Sequence, residues 1–247
     1  MKTVITVFIH ATDMEPAVLT SMMLGPVMAI LLLQWPIRKY EDCFSENAMF
    51  ASMIFGIFMG MVVGIMNYIA LMSVAGGFLF MVVVISLIAA LGGQIIMTLS
   101  RFRNEEALAL YGISIGMGMG SMVSAMIIYV YTRTGYTLPG MILMFFYSIS
   151  AILAYGGALG IFGFLFKTQK RIWFPMIMSF VALLLYNFMA FIWYIEILSF
   201  RNEIFWELLV PMLVYSFLLY RYSLNNVILT LSIKKRRLLR RKKRKKS

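Results

Sequence analysis

Few side chains in this sequence could carry chemistry, and their spacing argues against catalysis. A serine nucleophile needs a nearby base, yet the long apolar stretches contain no histidine or lysine. An aspartyl dyad is missing too, because Asp13 and Asp42 both lie in polar segments. The single histidine, His10, sits near Asp13 and Glu15 in the N-terminal segment and reads as a solvated residue. Metal sites need clustered His, Cys or carboxylate ligands, so no metal site is predicted. Glu105 and Glu106 open a helix, where carboxylates complement the positive end of the helix dipole. Glu196 and Glu207 lie close to the ends of apolar runs. Ionisable residues within a membrane segment are functional candidates by default, and Arg221 is the one cation there. It can snorkel to the nearby surface or pair inside the protein. Asn67, Gln94, Asn187, Asn225 and Asn226 are the uncharged polar candidates. No phosphate-binding loop or dinucleotide fingerprint occurs. This inventory predicts no catalytic residues, no enzyme and no cofactor.

The elements that must position these groups are membrane helices. Of 247 residues, 62% are hydrophobic and 13% charged, with a mean hydropathy of +0.89. Soluble domains run at about 45–50% apolar with about 25% charged residues, so an ordinary soluble domain is excluded. Disorder is excluded as well, since it requires low hydrophobicity. A bilayer core about 30 Å thick takes roughly 20 apolar residues per helix. Seven such runs are present, at about 16–36, 48–72, 77–100, 107–132, 139–166, 172–199 and 206–232. Backbone groups in lipid must be satisfied internally, and the alternation of a membrane β-barrel is absent. The expected fold is therefore an all-α, multi-pass bundle of seven transmembrane helices. It divides into a transmembrane domain, 1–233, and a basic tail, 234–247.

Charge sets the expected orientation. The net charge is +12, but eleven of the 22 cations lie in residues 234–247. Loops 37–47, 101–106 and 167–171 together with the tail hold 18 cations, against Lys2, Arg133 and Arg201 on the other side. The positive-inside rule then predicts an outside N-terminus and a cytoplasmic C-terminus. The first residues make a poor secretory signal. Expected localisation is the plasma membrane of a prokaryote or the endoplasmic reticulum of a eukaryote. The lone cysteine, Cys43, has no disulfide partner in the chain and reads as a reduced loop thiol.

Within the apolar runs, glycines recur at four-residue spacing. Gly56, Gly60 and Gly64 form one row, Gly112, Gly116 and Gly120 a second, 56 residues later, and Gly156 and Gly160 a third. A helix face without side chains lets a neighbour approach closely in lipid. Two uses stay open: packing within the body, or a groove for a partner helix. The 23 methionines fit as flexible gap-fillers beside glycine. A soft-metal path would also use thioethers, but no Cys or His lies near them.

The glycine-framed helices resemble a known superfamily, the PrsW glutamic intramembrane proteases and the related multi-pass scaffold subunit of gamma-secretase (anterior pharynx-defective). The resemblance rests on Gly93-Gln94-Ile95-Ile96-Met97, on Gly116 to Val123, on Ser148 to Gly160, and on Leu183 to Phe188. It implies that Gly93 and Gln94 occupy the paired-carboxylate positions, Val123 the next glutamate, and Ser148 and Leu183 the histidines. Asn187 fits the pattern. Without carboxylates or imidazoles nothing activates water, so the resemblance implies a degenerate member. The scaffold branch shares seven spans, the same orientation, a basic end and a Leu-Leu-Pro-like stretch, compared here with Leu208 to Pro211.

Placed after a final span, the tail can lie on anionic headgroups at about 1 kcal/mol per cation. Ribosomal RNA is the rival partner, through counterion release. The leading expectation is a non-catalytic scaffold in the lipid bilayer, holding a transmembrane protein partner on its glycine-lined faces. The alternatives are an active intramembrane protease using Glu105, Glu106 or Gln94, and a ribosome-associated insertion factor using its tail.

Overall fold

Long apolar runs whose backbone cannot bond to solvent form helices, and helices make up nearly all of the described chain. The structure is a computed structural model describing residues 16–40, 44–72, 78–103, 106–133, 138–169, 171, 173–198 and 205–231. Its elements are α1 (Pro16–Tyr40), α2 (Glu46–Met72), α3 (Phe78–Thr98), a single turn α4 (Ser100–Arg103), α5 (Leu108–Arg133), α6 (Leu138–Thr168), α7 (Trp173–Leu198) and α8 (Phe205–Thr230). No strand occurs among the described residues. His10, Cys43, Glu105 and the tail 234–247 fall outside them.

Among the described residues five helices are long and apolar enough to cross a membrane: Glu46–Ala70, Leu79–Thr98, Leu108–Tyr131, Gly140–Thr168 and Trp173–Tyr194. In α1 the apolar stretch is the shorter Leu24–Arg38, and α8 is diluted by Glu207, Arg221, Asn225 and Asn226. Two boundaries differ from the expected ones. The first helix does not stop at residue 36 but continues through Pro36 to Tyr40. Proline removes its own backbone donor and crowds the carbonyl four residues back, yet the residues after it keep the helical path. The third run breaks at Leu99 and resumes as α4.

The bundle is built around α5 and α6, which make the most extensive contact in the molecule. Next come α2 on α5 and α8 on α6, then α1 on α5, α7 on α6 and α3 on α7. Helices α5 and α6 are enclosed along most of their length, whereas α2, α3 and α7 keep one broad apolar side outward. Contact registers give the directions. Gly112 meets Leu159 and Gly120 meets Ala151, so α5 and α6 are antiparallel; Gly56 meets Ile115 and Gly60 meets Met119, so α2 and α5 are parallel. Tyr155 bonds to Asn187 and Tyr147 stacks on Trp193, so α6 and α7 are antiparallel. Helices α1, α3, α6 and α8 therefore run one way and α2, α5 and α7 the other.

Candidate functional site

Two kinds of seam join these helices. The first is made of glycine. A Cβ on Gly112 or Gly116 would strike the carbonyls of Leu159 and Tyr155, and one on Gly120 would lie 2.6 Å from that of Ala151. On the opposite flank of α5, Gly118 faces the Met53 carbonyl of α2. The row Gly56, Gly60 and Gly64 lies on Ile115, Met119 and Met126 of the same helix. In α6, Gly156 lies on Met117, Gly157 on the Tyr220 backbone and Gly160 on Ser223. All three rows are thus filled by helices of this chain, which corrects the expectation that they form faces for a partner helix. Gly25 of α1, absent from those rows, is used the same way against the Ser121 carbonyl.

The second seam is polar and joins α3 to α7. Ser86, Ala90 and Gln94 recur every four residues on α3, and Ser179, Leu183 and Asn187 do so on α7. Helical residues four apart share a face. Antiparallel packing then sets Ser86 beside Asn187 and Gln94 beside Ser179. The Asn187 amide donates to Ser86 Oγ at 2.9 Å, and the Tyr155 hydroxyl of α6 donates to Asn187 Oδ1 at 3.0 Å. Ser86 in turn donates to the Val82 carbonyl at 2.7 Å. One asparagine therefore ties three helices, and Tyr155 extends the tie to α5 because its carbonyl lies against Gly116.

Two turns away, toward the C-terminal end of α3, the Gln94 amide donates to Ser179 Oγ at 2.7 Å. Ser179 donates its own proton to the Met176 carbonyl at 3.1 Å. That arrangement leaves Gln94 Oε1 buried with no partner. A third polar contact, Ser150 with Ser216 at 2.9 Å, joins α6 to α8. Less than one turn from Ser150, Tyr147 stacks on Trp193 with centroids 5.1 Å apart and accepts the Tyr194 hydroxyl.

The structure gathers some of the predicted site residues and separates others. Gln94, Leu183 and Asn187 share the α3–α7 seam, and Gly93, one position over, faces the Leu159 side chain of α6. Val123 and Ser148 lie instead on the α5–α6 seam, where the glycine register sets them at one level. Ser148 precedes Tyr155 by seven residues, about 10 Å of helix, and its hydroxyl bonds back to the Met144 carbonyl at 2.9 Å. The six family-like positions therefore form two groups. Arg221 and Asn225 are exposed on the outer side of α8, and Asn226 donates to the Tyr222 carbonyl of its own helix at 2.9 Å. Asn67 likewise bonds within its helix, to the Val63 carbonyl at 2.9 Å.

Ser86, Ser179 and Tyr155 are the site residues that sequence reasoning missed. Their signal was the repeated i, i+4, i+8 spacing of small and polar residues on two helices, legible only once those helices are paired. Besides tyrosine hydroxyls, every buried polar side chain among the described residues is a serine, an asparagine or a glutamine. Such a site can join helices by neutral hydrogen bonds, and its free Gln94 acceptor can take one further donor. No family model matches this chain, and neither a curated protein nor a solved structure matches it.

Proposed function

We propose that this chain is a seven-span integral membrane protein with an outside N-terminus and a cytoplasmic C-terminus, acting as a non-catalytic scaffold for other transmembrane helices. The observation that carries the reading is the neutral interior. Among the described residues its glycine faces and most of its polar groups are engaged within the chain, so partners dock on the outward sides. Helix α2 offers Ile54, Phe58, Met61, Val62 and Ile65 there. The five long apolar helices support membrane insertion, and the cation distribution supports the orientation. The basic tail, 234–247, lies on anionic headgroups under this reading, with ribosomal RNA as the competing partner.

The test places photo-crosslinking residues at Phe58 and Ile65 on α2, and separately at the buried Met53 on its inward side. One defined transmembrane partner, captured from both outward positions and not from the inward one, is the expected result. Capture from none, or cleavage of a transmembrane peptide by the purified protein, rejects the scaffold. Membrane-impermeant maleimide on cysteines placed at Thr3 and Ser247 checks orientation, with labelling of Thr3→Cys alone expected in sealed cells.

A second reading, a degenerate relative of the PrsW proteases, is favoured by the meeting of Gln94, Leu183 and Asn187 on one seam. Under it a crosslinker at Gln94 captures a transmembrane substrate segment, and absence of such a product removes it.

A further inference from the structure

Helix α8 carries a charge on the side that faces away from the bundle. Leu209, Met212, Ser216, Tyr220, Leu224 and Val227 are buried and form its inward side. Opposite them, Pro211, Val214, Leu218, Arg221, Asn225 and Ile228 are all exposed. Their spacing alternates between three and four residues, which sets all six along one stripe of the helix. Such a stripe is the seam on which a neighbouring helix packs, yet among the described residues none covers it.

Arg221 precedes Thr230, the last residue of α8, by nine positions, or about 14 Å of helix. That puts it near the centre of a bilayer core about 30 Å thick. Neither Arg221 nor Asn225 makes a side-chain ion pair or hydrogen bond among the described residues. A charged side chain at that depth almost always faces a bundle interior and has a partner; within this chain Arg221 does neither. Lipid headgroups do not reach that depth. A second copy cannot serve either, because two copies packed on this stripe in the same orientation set Arg221 against Arg221. Nor does the chain hold a carboxylate elsewhere at mid-span. Glu46 and Glu207 stand in the first turns of their helices and Glu196 in the last turn of α7, and the remaining acidic residues lie between helices.

We propose that this face of α8 docks a transmembrane helix of another protein, one that carries a carboxylate in its central turns. The carboxylate accepts two hydrogen bonds from the Arg221 guanidinium, the bidentate pairing that its planar fork allows. Asn225, one turn further on, donates another, and such bonds join helices in lipid. Val214, Leu218 and Ile228 supply the apolar contact on either side. The outward side of α2 offers only apolar contact, whereas this face selects its partner by charge. The inference deepens the scaffold reading, on which it rests, by giving the chemistry of one partner, and it takes α8 as a span.

The test uses the full chain in phosphatidylcholine vesicles, with an acceptor dye on Ser247→Cys in a Cys43→Ser background. The probes are donor-labelled polyleucine transmembrane peptides with a central glutamate, glutamine or leucine, and binding is read by energy transfer. The glutamate peptide is expected to bind about tenfold more tightly than the leucine peptide, the lower end for close charge pairs at interfaces. Arg221→Leu should abolish that preference without lowering stability to denaturant, and Arg221→Glu should transfer it to a peptide with a central lysine. Equal binding of the glutamate and leucine peptides to the unaltered chain overturns the site, as does a preference that survives Arg221→Leu. Association of two labelled copies of the chain, lost in Arg221→Leu, gives the face to a second copy and overturns it too. Failure of the underlying reading looks different. Labelling of Val214→Cys by a water-soluble maleimide denies the span, fragments of the bound peptide deny the scaffold, and either result removes the docking role.

Discussion

The α5–α6 seam and the α3–α7 seam perform the same task by opposite means. Both bring two helices together in a solvent as apolar as their own side chains, where burial offers little gain. At α5–α6 the side chains are removed and the backbones approach until Gly112 and Gly116 lie on the carbonyls of Leu159 and Tyr155. At α3–α7 the side chains stay and carry the contact, through Asn187 with Ser86 and Gln94 with Ser179. Glycine packing rests on many weak atomic contacts and fails as soon as one atom is added. Hydrogen bonding rests on a few groups and loses one bond at a time. Membrane helices thus have a rigid joint and a graded joint, and this chain places the rigid one at its centre.

Substitutions can break that contrast. The largest effect is expected from Gly116→Leu, whose side chain meets backbone that cannot move aside. A loss of about 3 kcal/mol or more is expected, at or beyond the upper range for overpacking, read as denaturant unfolding of the purified protein in mild detergent. Folded protein of unchanged stability would mean that the central seam is not rigid. Next comes Asn187→Leu, which leaves the Tyr155 hydroxyl without its acceptor. Transmembrane hydrogen bonds average about 0.6 kcal/mol and reach about 1.7, so a loss of about 1–2 kcal/mol follows. Exceeding the Gly116→Leu cost would invert the ranking of the two joints.

Gly92→Ala is a milder probe of the glycine rule. The atom facing it is the terminal methyl of Met59, and a thioether can swing away. Less than about 1 kcal/mol is expected, and a larger loss would show that methionine is as unyielding there as backbone. The smallest effect belongs to Gln94→Leu. It removes the bond to Ser179, a long one to the Met176 carbonyl and the unpartnered Oε1, while the Ser179 proton stays on that carbonyl, so gains and losses nearly cancel. A change within about 0.5 kcal/mol is expected by the same unfolding titration. Strong destabilisation would show that Oε1 has a partner in the membrane.

Much of the architecture was legible before any coordinates. Helix positions follow from apolar run length, because a bilayer admits one answer to an apolar run of that length. Misread boundaries came from treating charge as loop. Arg38 continues α1 as an exposed residue because a long cationic side chain can reach a surface from the last helical turn. Gly56 to Gly64 and Gly112 to Gly120 were visible as close-packing faces, since the signal is local to one helix. What they pack against was not visible, because partner choice is set by helices far away in the chain. The α3–α7 seam shows the same limit: Gln94 and Asn187 stood out as polar, while Ser86 and Ser179 looked ordinary until the helices were paired.

The two joints also close at different times. Helices α5 and α6 are consecutive, so the glycine joint can form as soon as α6 leaves the ribosome. Asn187 and Ser86 are separated by 101 residues, which at roughly 5–20 residues per second of synthesis is about 5–20 seconds. Throughout that interval α3 waits in the bilayer with the side chains of Ser86 and Gln94 lacking their α7 partners. The nascent protein therefore passes through a stage in which its centre is set and one polar flank lies open to whatever helix is nearby.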